Sequence, residues 1–246
     1  MYNCCLIFGV FPKRKKLIPI LKLRKESSDE VLKYRPISLL NVGGKVLEKV
    51  INRINHHVYT NGYINNNQYE FTPQVSTIYA VMAVKEFVEE GFRIGKVTAI
   101  VSLDVEGAFN SSWWPSILKS LKESGCPQNL YNITKSFFSQ RTASLLTNIR
   151  LEREVSKGFP HGSCCCPGLW IIQYNSLLNL KYTKRTKAIA YADNLILIAR
   201  GKTVREAENI AKLELGKIST WAKKKNKIQF NEQKSKVILM TRRKRK

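Results

Sequence analysis

Short apolar runs alternate with stretches of periodic apolar positions along the whole 246-residue chain. Runs rich in β-branched residues and bounded by polar residues predict strands, whereas apolar residues three or four positions apart predict helices. The pattern predicts strands at residues 17–22, 32–40, 97–103, 143–146, 151–155, 188–192, 195–199, 228–230 and 237–240. It predicts helices near residues 43–57, 76–91, 113–122, 129–138, 169–180 and 204–221.

This interleaving predicts an α+β architecture. The shortest predicted loops join antiparallel strands, so we expect an antiparallel sheet packed by helices on one face, plus an N-terminal lobe. The polar residues 25–30 predict a hairpin tip between the first two strands. The apolar periodicity places Val81, Val84 and Val88 on one face of the helix predicted at residues 76–91. The candidate core positions near the end of the chain are Ala207, Ile210, Ala211, Leu213, Leu215 and Ile218, and the two last strands, residues 228–230 and 237–240, close the core.

The charge composition of the chain indicates which kind of molecule it binds. The chain has 42 Lys and Arg against 18 Asp and Glu, a formal net charge of +24, and 43% apolar residues. Such a charge favours a polyanionic partner, with nucleic acid ahead of a lipid surface. No apolar run reaches the roughly 18 residues of a membrane-spanning helix. The basic end at residues 242–246 is typical of a solvated tail, with nuclear import or nucleic-acid contact as alternatives.

The cysteines and the N-terminus indicate an intracellular protein that is not secreted, and the basic end at residues 242–246 keeps a nuclear as well as a cytoplasmic location in view. The six cysteines lie at positions 4, 5, 126, 164, 165 and 166, and none forms a C-x-x-C pair. Adjacent cysteines do not bridge easily, so reduced thiols are expected. The apolar residues 1–11 lack a basic leading region and run into residues 13–16, an order that does not fit a secretory signal.

Two aspartates, Asp104 and Asp193, end two of the predicted strands. Carboxylates held at strand ends from distant parts of a chain suit a site that holds two divalent ions about 3.5–4 Å apart for phosphoryl transfer. An isolated aspartate at the end of a strand is more commonly a turn or cap residue.

Several short blocks occur in a fixed order along the chain, and together they resemble the successive motifs of reverse transcriptases from non-LTR (LINE-like) retrotransposons. The resemblance covers roughly residues 11–241. The blocks are Tyr34-Arg-Pro-Ile-Ser-Leu-Leu40, Gln68-Tyr-Glu-Phe71 with Ser76-Thr77, Ser102-Leu-Asp-Val-Glu-Gly-Ala-Phe109, Gly158-Phe-Pro-His-Gly-Ser163 with Pro167, Tyr191-Ala-Asp-Asn194 and Asn231-Glu-Gln-Lys-Ser235.

The resemblance implies the right-hand polymerase fold. It places a fingers-like part at residues 13–95, a palm-like part with an antiparallel sheet at residues 96–241 and a basic tail at residues 242–246. Neither a thumb nor the endonuclease of full elements is recognisable, so the chain resembles a fragment of an element.

The implied activity is RNA-directed DNA polymerisation, in which dNTPs extend a DNA primer on an RNA template. Asp104 and Asp193 would hold Mg²⁺, with Mn²⁺ as a substitute. One ion lowers the pKa of the primer 3′-hydroxyl, and the other neutralises the triphosphate. Lys234 matches a lysine proposed to protonate the leaving pyrophosphate.

The resemblance also implies a nucleotide-binding set. Arg35 matches an arginine that grips the triphosphate, since a guanidinium is always charged and binds phosphate oxygens in pairs. Lys22 or Lys25 would add a second charge, although either lysine alone is typical of a solvated surface. Phe109 matches an aromatic residue beneath the sugar that selects deoxynucleotides, and it also suits a core position.

The loop at residues 158–162 belongs to the same set, since Gly158 and Gly162 would let the backbone approach the template and nucleotide. His161 stands where the family has a glutamine that contacts the nucleotide. An imidazole differs from an amide in its donors and can become charged below neutral pH.

Other blocks also depart from the family pattern. Asn194 replaces the second aspartate of Tyr-Ala-Asp-Asp, which removes one of three negative charges. The loss should cost at least the 10–100-fold that follows loss of an outer-shell partner. Glu70 replaces a glycine and would be strained if that position needs a positive φ. Further departures are Thr72, Asn110 and Cys166.

The departures predict an impaired copy. The alternatives are a catalytically inactive domain that only binds RNA or RNA–DNA duplex, and a fragment without a stable fold.

Overall fold

A computed structural model describes residues 14–22, 30, 33–145 and 151–242. The strands in these ranges are β1 (Arg14–Leu21), β2 (Tyr34–Leu39), β3 (Val97–Val105), β4 (Arg141–Leu145), β5 (Leu151–Val155), β6 (Thr186–Tyr191), β7 (Asn194–Gly201) and β8 (Phe230–Met240). The α-helices are α1 (Val42–Ile51), α2 (Arg53–Thr60), α3 (Thr77–Arg93), α4 (Ala108–Ser111), α5 (Trp114–Glu123), α6 (Gln128–Phe138), α7 (Cys166–Leu178) and α8 (Val204–Thr220), and a π-helical turn spans Trp221–Asn226.

The chain divides into two compact units. Unit one combines residues 1–63 with 109–170, and unit two combines residues 64–108 with 171–246. Each unit therefore contains segments from both sides of the predicted division at residue 95, and the division into fingers and palm stays a prediction.

Unit one contains a four-stranded sheet in the order β2-β1-β4-β5. The two predicted hairpins are present, because β1 pairs antiparallel with β2 and β4 with β5. Residues 25–29 of the predicted tip lie outside the described residues. The parallel pairing of β1 with β4 joins the two hairpins into one mixed sheet. Local patterns do not reveal such a pairing, because it depends on residues far apart in sequence.

Helices and aromatic residues complete the core of unit one. The Trp114 ring stacks on Phe138 at 5.1 Å, and the Trp114 indole N–H donates to the Gly158 carbonyl at 2.9 Å. The single helix predicted at residues 43–57 is two helices, which meet at Asn52. The second runs on to Thr60, three residues beyond the predicted end at residue 57.

Unit two contains an antiparallel sheet in the order β6-β7-β3-β8. The predicted hairpin of β6 and β7 is present: Tyr191 pairs with Asn194, which leaves a two-residue turn at Ala192 and Asp193. Strand β3 is central, with β7 on one side and β8 on the other.

Helices cover both faces of this sheet, so the expectation of helices on one face is wrong. Helix α3 packs Ala80 and Ala83 against Ile189 and Ile198. Side chains alternate between faces along a strand, so Gly201 belongs to the opposite face from Ile198. There α8 approaches so closely that a Cβ on Gly201 would lie 2.3 Å from the Ala207 backbone nitrogen.

Four predicted core positions, Leu213 and residues 237–239, are exposed instead, and so is Val81 of the apolar face predicted for α3. Val81 is 62% exposed because α3 turns Ala80, Ala83, Val88 and Gly91 inward. Leu213 is 55% exposed because α8 buries Ala207, Ala211, Glu214 and Ile218. Residues 237–239 are exposed because β8 forms the edge of the sheet.

Two further properties concern the described residues only. None of their helices has the length and apolarity to cross a membrane. Cys126, Cys164, Cys165 and Cys166 are free thiols.

Candidate active site

Asp104 lies near the end of β3 in unit two, opposite Asn194 on β7 and Asn231 on β8. Its side chain is 19% exposed. Because residues paired directly across antiparallel strands share a face, Asp104 and Asn194 point to the same side of the sheet. This face also carries Ile196 and Ile198, which α3 covers further along the strand. The aspartate thus sits on rigid backbone at the uncovered end of that face.

Asp193 lies in the tight turn between β6 and β7. The turn requires a left-handed residue, and Ala192 takes this conformation with φ 53°. The Asp193 carbonyl accepts a hydrogen bond from the Val105 N–H at 3.3 Å, which ties the turn to the end of β3. Burial raises the pKa of the Asp193 carboxyl, and the negative charges of Asp104 and Glu70 raise it further, while Lys234 opposes the rise.

Asn194 turns its amide toward Asp193. Its Nδ2 donates to the Asp193 Oδ1 at 3.3 Å. A carboxylate at this position would repel Asp193, whereas the amide stabilises the ionised form. The substitution therefore relieves the charge repulsion that a pair of adjacent aspartates would create.

Lys234 forms an ion pair with Asp104, with 3.1 Å between Lys234 Nζ and Asp104 Oδ2. A bulge in β8 presents this lysine: Ser102 and Asp104 are two positions apart on β3, but their partners Lys236 and Asn231 are five apart. Asn231 closes the bulge, since its Oδ1 accepts from the Lys234 backbone N–H at 3.2 Å. Residues 231–235 form one of the blocks that resemble the family motifs. In the structure their bulge places the Lys234 side chain next to Asp104.

Tyr174 is a neighbour of the carboxylates that sequence analysis missed. It lies on α7 with 0% exposure. Burial raises the pKa of its phenol, and the charges of Asp193 and Asp104 add to this effect. Its only signal in the sequence is a tyrosine within the apolar run of α7.

The carboxylates provide a donor set that fits a hard divalent cation. Mg²⁺ is usually bound by one or two carboxylates together with substrate phosphates and water. Asp104 and Asp193 supply two, and the Asn194 side chain carries a further oxygen. No cluster of three or more His, Cys, Asp or Glu ligands occurs among the described residues.

The predicted nucleotide-binding loop lies in unit one, where hydrogen bonds join it to the segment that begins at Phe109. The Phe159 N–H donates to the Phe109 carbonyl at 2.7 Å, and the Gly158 N–H donates to the Ser112 carbonyl at 2.8 Å. Gly158 has φ 80°, and a Cβ there would lie 2.6 Å from the Asn110 carbonyl oxygen. Only glycine fits this close approach.

His161 is held by both its backbone and its ring. Its carbonyl accepts from the Ser38 N–H of β2 at 3.0 Å, and its Nε2 lies 2.9 Å from Asn110 Oδ1. Burial lowers the pKa of the imidazole, and the charges of Lys15 and Arg35 lower it further. The sequence suggested that this ring becomes charged below neutral pH. Because its pKa is lowered, the ring becomes charged only at a lower pH than a free histidine does.

Phe109 is half-buried and contacts three rings. The centroids of Phe159, Trp170 and His161 lie 6.4, 6.0 and 6.1 Å from its own. These contacts agree with the interpretation of Phe109 as a core residue. The ring is not fully enclosed, so part of it is also accessible to a sugar.

Gly162 has φ 91°, and a Cβ there would meet nothing within 4 Å. Its carbonyl accepts from Lys45 Nζ at 3.1 Å, and Lys45 also pairs with Glu48 at 3.3 Å. Glu48 is completely buried. Sequence analysis missed both charged residues, although a lysine and a glutamate three positions apart on an otherwise apolar helical pattern were a usable signal.

The two remaining predicted residues lie at the β1–β2 hairpin. Arg35 lies on β2 opposite Ile20, with an exposed side chain. Lys22 directly follows β1, and its backbone N–H donates to the Lys33 carbonyl at 2.9 Å. Lys25 lies outside the described residues.

The backbone strain that a positive φ would cause at Glu70 is absent. The left-handed residue of that block is Phe71, with φ 58°, and Glu70 has no positive φ. Residues 67–69 instead run beside β6, where the Tyr69 N–H donates to the Ala190 carbonyl at 3.0 Å.

The comparison with protein families identifies the chain. The sequence profile of the family described as reverse transcriptase (RNA-dependent DNA polymerase) matches residues 23–246. The chain belongs to the reverse transcriptase family.

Curated relatives place this reverse transcriptase domain among non-LTR retrotransposons. The RNA-directed DNA polymerase from mobile element jockey of Drosophila funebris is 30% identical over 238 residues, which cover 92% of this chain and 26% of that protein. The Pol polyprotein from type-1 retrotransposable element R1 of Bradysia coprophila is 27% identical over 228 residues, 91% of this chain and 22% of that protein. The chain spans about a quarter of the length of these relatives.

Solved structures confirm the fold. Apo telomerase from Candida tropicalis matches with a TM-score of 0.67 at 11% identity, over 94% of this chain and 45% of that one. A truncated apo form from the same organism gives 0.62 over 97% of this chain. The predicted α+β polymerase fold of fingers and palm is therefore confirmed at the level of fold.

Proposed function

We propose that this chain is the polymerase domain of an RNA-directed DNA polymerase of a non-LTR retrotransposon, and that it extends a DNA primer with dNTPs on an RNA template. One observation carries the proposal. Asp104 on β3 pairs directly with Asn194 of β7, and the Val105 N–H next to it donates to the Asp193 carbonyl at 3.3 Å, so the two aspartates lie together at one end of the sheet. Rigid paired strands hold both.

Asp104 and Asp193 would hold the divalent cation, Mg²⁺ or Mn²⁺. A divalent cation held there would supply Lewis-acid chemistry, lowering the pKa of the primer 3′-hydroxyl and neutralising phosphate charge. Lys234 is the proton donor to the leaving pyrophosphate, and its 67% exposure leaves the ammonium free to move from Asp104 to a phosphate oxygen. Asn194 orients the Asp193 carboxylate through the hydrogen bond from its amide.

Residues of unit one bind the nucleotide. Arg35, with Lys22, holds the triphosphate, and Phe109 lies beneath the sugar. Gly158, His161 and Gly162 form the loop that faces the nucleotide. In functional terms residues 13–95 are the fingers, 96–241 the palm and 242–246 a basic tail. The net charge of +24 supports binding to the phosphates of template and primer, at a nuclear or cytoplasmic location.

Primer extension on an oligo(dT)-primed RNA homopolymer tests the proposal. The unaltered chain should extend the primer with Mg²⁺ or Mn²⁺, and Asp104→Ala should lose this activity. Glu89→Ala removes a carboxylate from the exposed face of α3 in the same unit and should leave it unchanged. Absence of extension in both the chain and Asn194→Asp, with folding verified by circular dichroism, would exclude the polymerase function.

The second candidate function is binding of RNA or RNA–DNA duplex without catalysis. The amide of Asn194 and the ion pair of Lys234 favour it, because both reduce the negative charge available to a cation. This candidate predicts binding that weakens steeply with salt and does not change with Asp104→Ala. Extension that is lost in Asp104→Ala would exclude it.

A further inference from the structure

Two residues at which this chain departs from the family pattern contact each other. Asn110 stands where an aspartate is frequent, and His161 stands where a glutamine is usual. They are 51 positions apart in sequence, and their side chains meet at 2.9 Å between Asn110 Oδ1 and His161 Nε2. Both lie in unit one.

The backbones that carry this pair are fixed. Hydrogen bonds from Phe159 and Gly158 anchor one side of the loop to residues 109–112, and the Ser38 N–H anchors the His161 carbonyl from β2. The Phe109 ring meets the imidazole edge-on at a centroid distance of 6.1 Å. The contact is therefore part of a defined arrangement, and removal of the Asn110 side chain leaves the backbone bonds intact.

The hydrogen bond selects one form of the ring. In this orientation of the Asn110 amide Oδ1 faces the ring and can only accept, so the arrangement requires the proton on Nε2. In a neutral imidazole Nδ1 is then unprotonated and is an acceptor. The charged groups around the ring are Lys15 of β1 and Arg35 of β2, and both oppose a second proton. A carboxylate at position 110 would instead stabilise the imidazolium.

We propose that Asn110 is a positioning residue for His161, and that it holds the imidazole uncharged with its proton on Nε2. The loop at residues 158–162 then offers the incoming nucleotide a fixed ring with one acceptor nitrogen. The two departures from the family pattern work as a pair: an aspartate at 110 would charge the histidine, and the asparagine keeps it neutral. The contact with the nucleotide rests on the proposed function, whereas the form of the ring does not.

Nuclear magnetic resonance of the imidazole nitrogens tests the ring directly. The chain has three histidines, and His161→Gln assigns the His161 signals by their loss. At neutral pH we expect the nitrogen shifts of the Nε2-protonated neutral ring. Asn110→Ala should give averaged shifts of both neutral forms, and Asn110→Asp should raise the pH at which the ring titrates.

Asn61→Asp is the matched control, because Asn61 contacts the Nδ1 of His57 at 2.9 Å on α2 in the same unit. It should leave the His161 signals unchanged. Nitrogen shifts and titration of His161 that stay the same in both Asn110 variants would overturn the proposal.

Nucleotide kinetics test the second part. In primer extension, Asn110→Ala should raise the KM for dNTP about threefold to tenfold, the effect of losing one hydrogen bond, with little change in kcat. In Asn110→Asp the KM should become dependent on pH over the range in which the ring titrates. If the ring changes as expected but the KM does not, His161 does not meet the nucleotide and that part is overturned. If no variant extends a primer, the proposed function fails and the ring result stands.

Discussion

Lys234 and Asp104 form an ion pair 3.1 Å long that joins the bulge of β8 to the end of β3. The Asp104 oxygen in this pair is buried, whereas the lysine side chain is mostly exposed. The lysine can leave because its mostly exposed ammonium is readily hydrated, whereas the buried Asp104 oxygen that it leaves behind then needs another cation as its partner. The lysine therefore competes with a cation for Asp104 without blocking the carboxylate permanently.

Lys234→Met should separate cation binding from turnover. Loss of the competing ammonium should tighten Mn²⁺ binding by about fivefold or more, because an exposed ion pair is equivalent to up to about fivefold and the Asp104 oxygen of this pair is buried. Turnover should fall because the proton donor to pyrophosphate is lost. Isothermal titration with Mn²⁺ and single-turnover primer extension measure the two effects. Lys236→Met removes the same charge from a neighbouring position of β8, and an equal effect there would assign the change to general electrostatics.

Asn194→Asp should strengthen cation binding in a different way. It replaces an amide that donates to Asp193 with a third carboxylate, and the gain should be at least about 10-fold by comparison with outer-shell partners. The variant should also unfold more easily in the absence of cation, because adjacent carboxylates repel. Thermal unfolding with and without Mn²⁺ measures both effects. Asn129→Asp, on the exposed side of α6, is the control for a new charge. A variant that is as stable as the chain itself and gains no affinity for Mn²⁺ would contradict the assigned role.

The sequence predicted local elements well, because their signals are local. The β6–β7 hairpin has two apolar strands, and it forms as expected except that its turn lies at Ala192 and Asp193, one residue before the predicted tip at Asp193 and Asn194. The parallel pairing of β1 with β4 could not be predicted from the sequence, because it joins residues more than 120 positions apart. Exposed apolar residues such as Leu213 were wrongly predicted to be buried. Helical periodicity identifies the apolar face of a helix, but it does not show how much of that face is covered in the folded protein.

Within the candidate site, sequence blocks gave the residues but not their contacts. Neither the donation from Asn194 to Asp193 nor the pairing of Asn110 with His161 has a sequence signal, because each depends on side-chain direction across a turn or between distant segments. Tyr174 and Glu48 were missed for a related reason, since burial of a polar residue is a property of the packed structure.

Gly158→Ala should destabilise unit one more than Gly162→Ala. Both glycines have left-handed backbones, which cost a residue with a Cβ about 1–2 kcal/mol. Only Gly158 adds a steric overlap, with the Asn110 carbonyl at 2.6 Å, whereas Gly162 faces open space. Urea unfolding of the two variants measures the difference. Equal losses of stability would mean that the backbone around Asn110 moves away from the added methyl group at little energetic cost.

Loss of stability in acid should depend partly on His161. Burial, Lys15 and Arg35 lower the pKa of this imidazole in the folded protein below its ordinary value of 6.5. At pH values between the folded and unfolded pKa the unfolded chain binds more protons, so the stability supplied by the neutral ring is complete above 6.5 and is lost as the pH falls through this range. His161→Gln should therefore lose less stability than the chain itself between neutral pH and the folded pKa, in urea unfolding at a series of pH values. His56→Gln is the control for removing an imidazole from an exposed position on α2. Parallel pH profiles for the chain and His161→Gln would show that the ring binds its proton as readily in the folded protein as in the unfolded chain.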